Sequence, residues 1–203
     1  MNDFDDRLSM SEIDGIIFDC DGTLADTMPA HYEAWAAVLE RYELAMSEDR
    51  FYELGGWPTL RVAELLARES GRTIDLQRLA DEKESLFHES LHEVRPIEPV
   101  VRVVREFQGR LPLAVATGAV RSVCERILDH IGLAAVFETI VSSEDVEHHK
   151  PSPDIFLEAA RRLGVAPARC RVYEDSDPGI EAARRAGMEY IDVRDFYTPR
   201  RVT

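Results

Sequence analysis

The stretch IDGIIFDCDGTL, residues 13–24, sets the organisation of the whole chain. Its apolar first half predicts a buried strand over residues 13–19, and the Gly-Thr pair that follows ends the run. Asp19 and Asp21 stand two residues apart at the carboxyl end of this strand, where open α/β sheets bind their ligands. Because alternate residues of an extended chain share a face, the two carboxylates are predicted to point into one cleft, and Cys20 into the core on the other side.

Two carboxylates in one cleft repel each other unless a cation or a shared proton relieves them. We therefore interpret Asp19 and Asp21 as a Mg²⁺-assisted nucleophile with an acid/base group beside it. From this stretch alone a second interpretation stays open. The dipeptide Asp-Gly is common in turns, so Asp19 and Asp21 could be two solvent-exposed acids in a turn.

The bulk composition indicates an acidic globular protein. The chain has 203 residues, 45% of them apolar, which suits one α/β domain with a modest insertion. Its formal net charge is −15, from 24 basic and 39 acidic residues. Such a balance disfavours binding to nucleic acids or to anionic membranes, which depends on clustered Lys and Arg. We expect neither kind of partner.

Cysteine content and the first residues of the chain bear on location. The three cysteines Cys20, Cys124 and Cys170 are odd in number and widely spaced, as expected of reduced thiols in a cytoplasmic protein. The start of the chain carries the polar and acidic residues Asn2, Asp3, Asp5 and Asp6, unlike a signal peptide, and no apolar run reaches membrane-spanning length. Residues 1–12 are predicted to be a loose acidic lead-in.

A long helical insertion is predicted after the first strand. Apolar residues recur at helical spacing from Thr27, a plausible N-cap, and no strand pattern occurs over residues 48–93. Residues 55–58 and Gly71 interrupt the helices. We expect residues 27–94 to form a cap domain and residues 1–26 and 95–203 to form a core domain.

From residue 100 onward, strand and helix patterns alternate. Strands are predicted over residues 111–116, 139–141, 171–173 and 190–193, with helices between them. This alternation predicts an α/β fold with a parallel sheet. Polar residues follow three of these strands and are expected to meet the two aspartates at one rim of the sheet: Thr117, Lys150, Glu174 and Asp175.

These residues together suit phosphoryl transfer to a carboxylate. Asp19 would attack phosphorus and form an aspartyl-phosphate, while Asp21 would protonate the leaving oxygen and then deprotonate water. Mg²⁺ would be held by Asp19, by the backbone carbonyl of Asp21, and by Asp175 or Glu174, because Mg²⁺ prefers oxygen ligands.

Thr117 would donate a hydrogen bond to a phosphoryl oxygen, and Lys150 would place a positive charge beside the developing negative charge. Each residue has a plainer interpretation: a helix cap for Thr117, a solvated loop cation for Lys150, and a turn for Glu174-Asp175. The adjacent His148 and His149 are interpreted as structural or solvent-exposed rather than as metal ligands. Cys20 is not expected to be a catalytic thiol.

The segments DCDGT at 19–23, TG at 117–118, KP at 150–151 and EDS at 174–176 resemble the four motifs of the haloacid dehalogenase superfamily, in the same order and spacing. The likeness extends from about residue 13 to 193. Within the superfamily the chain is similar to the β-phosphoglucomutase-like branch, and there to bacterial fructose-1-phosphate/6-phosphogluconate phosphatases. The resemblance implies a three-layer, Rossmann-like core, an inserted helical cap and Mg²⁺ dependence.

The resemblance also implies roles for residues outside the first motif. It assigns Thr117-Gly118, Lys150 and the cap residues Thr27, His31 and Lys83 to substrate binding. In the mutases the residue that matches His31 lies at the joint between cap and core and assists the counterpart of Asp21, and the lysine that matches Lys83 reaches a phosphate from the cap. One departure concerns Thr59, where the mutases carry an arginine that binds a second phosphate. Its absence favours hydrolysis, although Arg61 is close enough in sequence to substitute.

The resulting expectation is a cytoplasmic, Mg²⁺-dependent phosphatase that acts on a small phosphorylated sugar or sugar acid, as a monomer or weak dimer. A hinge is predicted near Asp26-Thr27 and near Arg95-Pro96. A β-phosphoglucomutase is the alternative with the same chemistry. A non-enzymatic phospho-acceptor module is the alternative from another class of protein. The predicted cap disfavours it, because such modules are short and have no helical cap.

Overall fold

The computed structural model describes residues 13–202 and is built on a five-stranded parallel sheet. Its strands are β1 (Gly15–Phe18), β2 (Leu113–Ala116), β3 (Thr139–Val141), β4 (Cys170–Glu174) and β5 (Glu189–Asp192). They are arranged in the order β3-β2-β1-β4-β5, and every neighbouring pair is parallel. The predicted parallel sheet is confirmed. The lead-in predicted for residues 1–12 lies outside the described residues.

Eight α-helices occur in the described part of the chain: α1 (Met28–Arg41), α2 (Glu48–Glu53), α3 (Thr59–Ser70), α4 (Leu76–Ser90), α5 (Glu98–Phe107), α6 (Arg121–His130), α7 (Asp154–Leu163) and α8 (Asp177–Arg185). No helix among residues 13–202 is long and apolar enough to cross a membrane.

Alternate residues of β1 face two separate apolar cores. Ile16 and Phe18 pack into a cluster with the buried faces of α5 and α6, whereas Ile17 packs with α7 and α8 on the other side. The sheet is therefore covered on both faces, which makes a three-layer, Rossmann-like core. Cys20 continues the Phe18 side and is fully buried, as its position in the pattern predicted.

Helices α1 to α4 form the insertion between β1 and α5. Their inner faces share a third apolar cluster, which includes Trp35, Leu39, Phe51, Val62 and Leu79. This cluster is distinct from the two that cover the sheet. An amphipathic helix must bury its apolar face against another element, and the helices of the insertion bury theirs against one another. The helical character predicted between β1 and α5 is confirmed.

The chain passes between the sheet and the insertion twice, and the two connections run side by side. The amide of Asp26 donates to the carbonyl of Arg95 at 2.9 Å, and the amide of Ile97 donates to the carbonyl of Leu24 at 2.9 Å. Ala25 and Pro96 form an antiparallel bridge between them. These are the segments at which the hinge was predicted; motion about them stays a prediction.

β1 lies at the centre of the sheet, with β2 on one side and β4 on the other. The chain leaves β1 towards β2 and β3, and then returns across the sheet to β4. Ligands of open α/β sheets bind outside the carboxyl ends of the strands at such a reversal of strand order. The carboxyl ends of β1, β2 and β4 carry the candidate site.

Candidate active site

Asp19 follows β1 directly and is held in line with the sheet. Its amide donates to the carbonyl of Tyr173 in β4 at 3.0 Å. The chain then turns back on itself, because the carbonyl of Cys20 accepts hydrogen bonds from the amides of Leu24 at 2.9 Å and Ala25 at 3.1 Å. This turn brings the Asp21 side chain beside the first turn of α1.

Gly22 is required by the close approach of β1 and β4 at this turn. Its φ of 79° lies in the left-handed region, which glycine adopts without a steric cost. A Cβ atom at this position would also overlap the carboxylate of Asp175. The Asp175 side chain is held in turn by Thr23, whose hydroxyl donates to Asp175 Oδ1 at 3.1 Å.

Lys150 lies behind Asp19, with its ammonium group between two carboxylates. Its Nζ donates to Asp19 Oδ1 at 2.6 Å, to Glu174 Oε1 at 2.7 Å and to the carbonyl of Ala116 at 3.3 Å. The three donors of the ammonium group are thus all used. The structure places Lys150 against the proposed nucleophile, and not on the wall of the cavity in front of it.

The carboxylate of Glu174 holds Lys150 in place. Its other oxygen, Oε2, accepts from the amide of Ser176 at 2.5 Å, so protein donors occupy both oxygens. The first turn of α8 makes room for it, because a Cβ atom on Gly179 would overlap Glu174 Oε1. Of the two adjacent acids predicted to hold a metal ion, only Asp175 lines the cavity.

Burial raises the pKa of Asp19 to about 8, against the attraction of Lys150, and the neighbouring Glu174 and Asp21 add to the rise. Burial raises the pKa of Asp175 well above its ordinary value as well, and the negative charges of Glu174 and Asp19 strengthen this effect. The buried carboxylates of Asp19 and Glu174 thus share one ammonium group, with the half-buried Asp175 carboxylate close by. A further cation at Asp19 and Asp175 would offset the remaining negative charge.

Asp21 has different surroundings. Its Oδ1 accepts from the Thr27 hydroxyl at 2.8 Å and from His31 Nε2 at 2.9 Å, and Thr117 lies 3.5 Å from Oδ2. Burial raises the pKa of Asp21, but the attraction and hydrogen bond of His31 and the hydrogen bond of Thr27 outweigh it and leave the pKa below its usual value. Thr27 is the N-cap residue of α1, as predicted, yet its hydroxyl binds Asp21 and not the helix.

His31 connects Asp21 to the insertion. Lys83 Nζ lies 2.8 Å from His31 Nδ1, and because an ammonium group only donates, Nδ1 accepts. The imidazole hydrogen is therefore assigned to Nε2, from which it is donated to Asp21. Phe87 stacks on the imidazole at a centroid distance of 3.8 Å and holds the ring plane.

A cavity opens between the sheet and the insertion. The sheet contributes Asp19, Asp21, Thr117, Gly118 and Asp175 to its wall. The insertion contributes polar and apolar side chains, among them His31, Trp35, Trp57, Thr59, Lys83 and Glu84. Predicted residues of the first, second and fourth motifs thus meet the predicted cap residues His31 and Lys83 around one space.

A model of the haloacid dehalogenase-like hydrolases matches residues 16–193. The chain belongs to this family. Fructose-1-phosphate phosphatase YqaB of Escherichia coli is 44% identical over 181 residues, which cover 89% of this chain and 96% of that protein. A phosphorylated carbohydrates phosphatase of Thermotoga maritima is 35% identical over 185 residues, 88% of this chain and 84% of that protein.

A solved structure shows the same fold. The β-phosphoglucomutase of Clostridium difficile superposes with a TM-score of 0.80 over 89% of this chain and 84% of that chain, at 22% sequence identity. The Rossmann-like core with a helical insertion, which the resemblance implied, is therefore confirmed.

Some residues singled out in the sequence lie outside the cavity of this haloacid dehalogenase-like enzyme. Arg61 borders a separate groove and pairs with Glu64 at 2.8 Å. His148 is exposed and bonds Asp154 at 3.0 Å, and His149 lines the same groove as Arg61. The structural or solvent-exposed interpretation of the two histidines agrees with these positions.

Three residues of the site were missed in the sequence. Thr23 positions Asp175, Ser176 positions Glu174, and Glu84 borders the cavity beside Lys83. Thr23 and Ser176 lie inside the motifs that were recognised, so their positions carried a usable signal. The position of Glu84 gave no such signal, because one acidic residue on an amphipathic helix cannot be distinguished in sequence from the solvent-exposed acidic residues around it.

Proposed function

We propose that this enzyme is a Mg²⁺-dependent phosphatase that hydrolyses a small sugar phosphate, of the fructose 1-phosphate or 6-phosphogluconate type, through an aspartyl-phosphate at Asp19. The two relatives described above carry the names of phosphatases of phosphorylated sugars, which supports the reaction class. We further propose a cytoplasmic monomer or weak dimer; the three buried, free cysteines support a reducing compartment.

The observation that carries the proposal is the unequal environment of the two aspartates. Asp19 is held by Lys150 at 2.6 Å, which leaves one oxygen to face the cavity. Asp21 is held by Thr27 and His31, which are hydrogen-bond donors from the insertion. Two acids whose surroundings shift their pKa values apart are suited to different roles, here nucleophile and proton carrier.

Asp19 and Asp175 are the carboxylates that fit a magnesium ion, together with the backbone carbonyl of Asp21. No cluster of three or more His, Cys, Asp or Glu side chains with metal-site geometry occurs among residues 13–202. That suits Mg²⁺, which commonly uses one or two carboxylates and completes its coordination with waters and a substrate phosphate oxygen. When bound, the ion supplies positive charge that lets an anionic carboxylate approach an anionic phosphate.

In the first step a carboxylate oxygen of Asp19 attacks phosphorus, and the bond between phosphorus and the sugar oxygen breaks. The leaving oxygen takes a proton from Asp21. The negative charge of a phosphoryl group in the cavity raises the pKa of Asp21 and favours its protonated form before this step. Thr117 lines the cavity beside Asp21, within reach of a phosphoryl oxygen.

In the second step Asp21 takes a proton from water, and the water oxygen attacks phosphorus. The bond between Asp19 and phosphorus breaks, which releases phosphate and restores the Asp19 carboxylate. Thr27 and His31 stabilise the anionic form of Asp21, which is the form that a general base requires. Because both belong to α1 and its N-cap, the insertion helps to position the proton carrier.

The cap end of the cavity favours hydrolysis over a mutase reaction. Thr59, where the mutases carry an arginine, donates its hydroxyl to Glu84 at 2.5 Å. Arg61, the possible substitute, lies outside the cavity in an ion pair. A mutase must hold a bisphosphate at both ends, for which a guanidinium group is well suited.

The deciding experiment is an assay of phosphate release from fructose 1-phosphate, 6-phosphogluconate and glucose 1-phosphate, with and without Mg²⁺. We expect release only with Mg²⁺, and its loss in Asp19→Asn without loss of the folded state. Asp14→Asn, an exposed aspartate five residues earlier, is the matched control. Near wild-type activity in Asp19→Asn would sink the nucleophile assignment, and faster formation of glucose 6-phosphate than of phosphate would establish the mutase.

A further inference from the structure

Glu84 borders the cavity from the insertion, next to Lys83 on α4. Its Oε1 accepts from the Thr59 hydroxyl at 2.5 Å and from Lys83 Nζ at 3.1 Å. Its Oε2 is screened from solvent and has no hydrogen-bond partner within the described residues. The carboxylate is therefore held by one oxygen, while the other, at the edge of the cavity, is left without a donor.

The surroundings of Glu84 keep it ionised. Burial raises its pKa, but the charge of Lys83 and the hydrogen bonds from Thr59 and Lys83 outweigh this, so its pKa lies below the usual value. A screened carboxylate oxygen without a donor is unfavourable. Binding a ligand hydroxyl there would relieve that cost, and the two existing hydrogen bonds already fix the acceptor in place.

The charge balance of the cavity indicates what that ligand group is. Among the cavity-lining residues that the structure describes, Lys83 is the only Lys or Arg. It is already engaged by His31 and Glu84, at 2.8 Å and 3.1 Å. The cap end thus presents an ion pair with an open acceptor and no excess positive charge, which suits a neutral hydroxyl and disfavours a second anionic group.

We propose that Glu84 determines substrate specificity: its Oε2 accepts a hydrogen bond from a hydroxyl group at the end of the substrate remote from the phosphate. Its charge disfavours substrates that carry a carboxylate or a second phosphate at that end. The inference rests on the proposed phosphatase function and narrows it to monophosphates of neutral polyhydroxy compounds, such as fructose 1-phosphate, over 6-phosphogluconate.

The test compares wild type with Glu84→Gln on three substrates: fructose 1-phosphate, 6-phosphogluconate, and p-nitrophenyl phosphate, which has no sugar hydroxyls. A hydrogen bond from a ligand to a charged group corresponds to roughly tenfold or more in affinity. We therefore expect kcat/KM to fall about tenfold further for fructose 1-phosphate than for p-nitrophenyl phosphate. The ratio of kcat/KM for 6-phosphogluconate to that for fructose 1-phosphate should rise by a similar factor.

Two variants serve as controls. Glu89→Gln makes the same chemical change on an exposed position of the same helix and should leave both ratios unchanged. Thr59→Val removes one of the two hydrogen bonds that hold Glu84 but keeps its charge. In this variant kcat/KM for fructose 1-phosphate should fall relative to that for p-nitrophenyl phosphate, whereas 6-phosphogluconate should remain disfavoured.

The outcomes separate this inference from the proposed function. If wild type releases phosphate from none of the three substrates, the proposed function fails. If wild type is active and Glu84→Gln lowers kcat/KM equally for all three, Glu84 acts through Lys83 and the specificity role is wrong. Unchanged kcat/KM ratios in a Glu84→Gln variant that circular dichroism shows to be folded would also overturn the specificity role.

Discussion

The ammonium nitrogen of Lys150 lies 2.6 Å from Asp19 and 2.7 Å from Glu174, in a place that solvent does not reach. Burial lowers the pKa of Lys150, but the two carboxylates outweigh it and hold the pKa above its ordinary value. Lys150 therefore stays charged. It orients the proposed nucleophile from behind and reduces the charge repulsion that an incoming phosphate meets.

Replacement of Lys150 by Met keeps the length of the side chain and removes its charge. Removal of one partner from a buried ion pair typically costs about 3–5 kcal/mol, because the remaining charges are left uncompensated. We expect a loss of that size in the free energy of unfolding, measured with urea, and a fall of at least about 100-fold in kcat. Arg102→Met, at an exposed position of α5, is the control. Unchanged stability in Lys150→Met would contradict the buried-pair interpretation.

Gly118 faces the insertion across the cavity mouth, and a Cβ atom there would overlap the carbonyl oxygen of Gly56. Because the obstacle is backbone, the loop between α2 and α3 would have to move away from the sheet. We expect Gly118→Ala to lower kcat/KM about 10- to 100-fold through misplacement of the insertion. The fluorescence of Trp57, one residue beyond Gly56, should change with it.

Gly132→Ala is the control for that variant. Position 132 has a φ of 74° and no atom within 4 Å of an added Cβ, so the substitution costs about 1 kcal/mol of backbone strain without touching the insertion. It should lower stability and leave KM unchanged. Equal effects of Gly118→Ala and Gly132→Ala on KM would show that contact between the sheet and the insertion does not control activity.

Lys83→Met should test the support that Lys83 gives to His31 at the joint between insertion and sheet. Lys83 lies 5.9 Å from the centroid of Trp35 and 5.4 Å from that of Phe87, so a methionine has apolar neighbours there. Without the ammonium group, His31 Nδ1 loses its hydrogen-bond donor, the imidazole is held less firmly and its hydrogen bond to Asp21 weakens. We expect kcat to fall about tenfold or more, since a general acid–base group typically contributes 10²–10⁴-fold.

NMR of the imidazole nitrogens provides the check on Lys83→Met. In wild type the His31 Nε2 hydrogen should be visible and protected, with Nδ1 free of hydrogen; in the variant the Nε2 hydrogen should exchange faster with water. Unfolding in urea should show a loss of stability, because Glu84 is left without its ammonium partner, but a smaller loss than in Lys150→Met, since Glu84 is partly exposed and keeps its hydrogen bond from Thr59. A fall in kcat with an unaltered His31 spectrum would exclude an effect through His31.

Asp145 should account for part of the acid sensitivity of the fold. It accepts hydrogen bonds from the amide and hydroxyl of Ser142 at 2.8 Å and 2.9 Å, from Arg121 at 2.9 Å and from Arg162 at 2.7 Å. Partial burial raises its pKa, but the bonds from Ser142 and Arg162 outweigh it and hold the pKa far below the usual value. Asp145 thus connects β3 to α6 and α7.

We expect Asp145→Asn to lower the free energy of unfolding at pH 7 by about 1–3 kcal/mol. A lowered pKa in the folded state stabilises the fold above the pKa of the unfolded chain, near 3.9 for Asp. The stabilisation is lost as the pH falls below that value towards the folded pKa, so the two proteins should converge from about pH 4 downward. Glu147→Gln, an exposed neighbour, is the control. A constant difference between pH 7 and pH 3 would contradict the assignment.

Local pattern was enough to predict the sheet and the insertion. A short apolar run between turn residues predicts a buried strand. β3 was predicted in this way with its observed bounds, Thr139–Val141. Bounds elsewhere shifted by one or two residues, since β2 begins at Leu113 and not at 111. The ends of elements depend on hydrogen bonds to neighbouring strands, which periodicity does not encode.

The sequence by itself determined that Asp19, Asp21, Thr117 and Asp175 meet at one rim, because parallel strands end on the same edge and each of these residues follows a strand. It could not distinguish the roles of the acids at that rim. Glu174 and Asp175 are adjacent, yet one holds Lys150 and the other lines the cavity. Side-chain direction at the end of a strand is set by what packs against it, here Gly22 and Gly179.

The position of the insertion over the sheet determines the rest of the site. Thr27 and His31 reach Asp21, and Lys83 reaches His31, because α1 and α4 pack together above the sheet, and Glu84 borders the cavity for the same reason. These contacts join residues that are up to 52 positions apart in the chain. Helical spacing predicts which residues share a face of one helix, but which neighbour that face meets is decided by the packing of the folded chain.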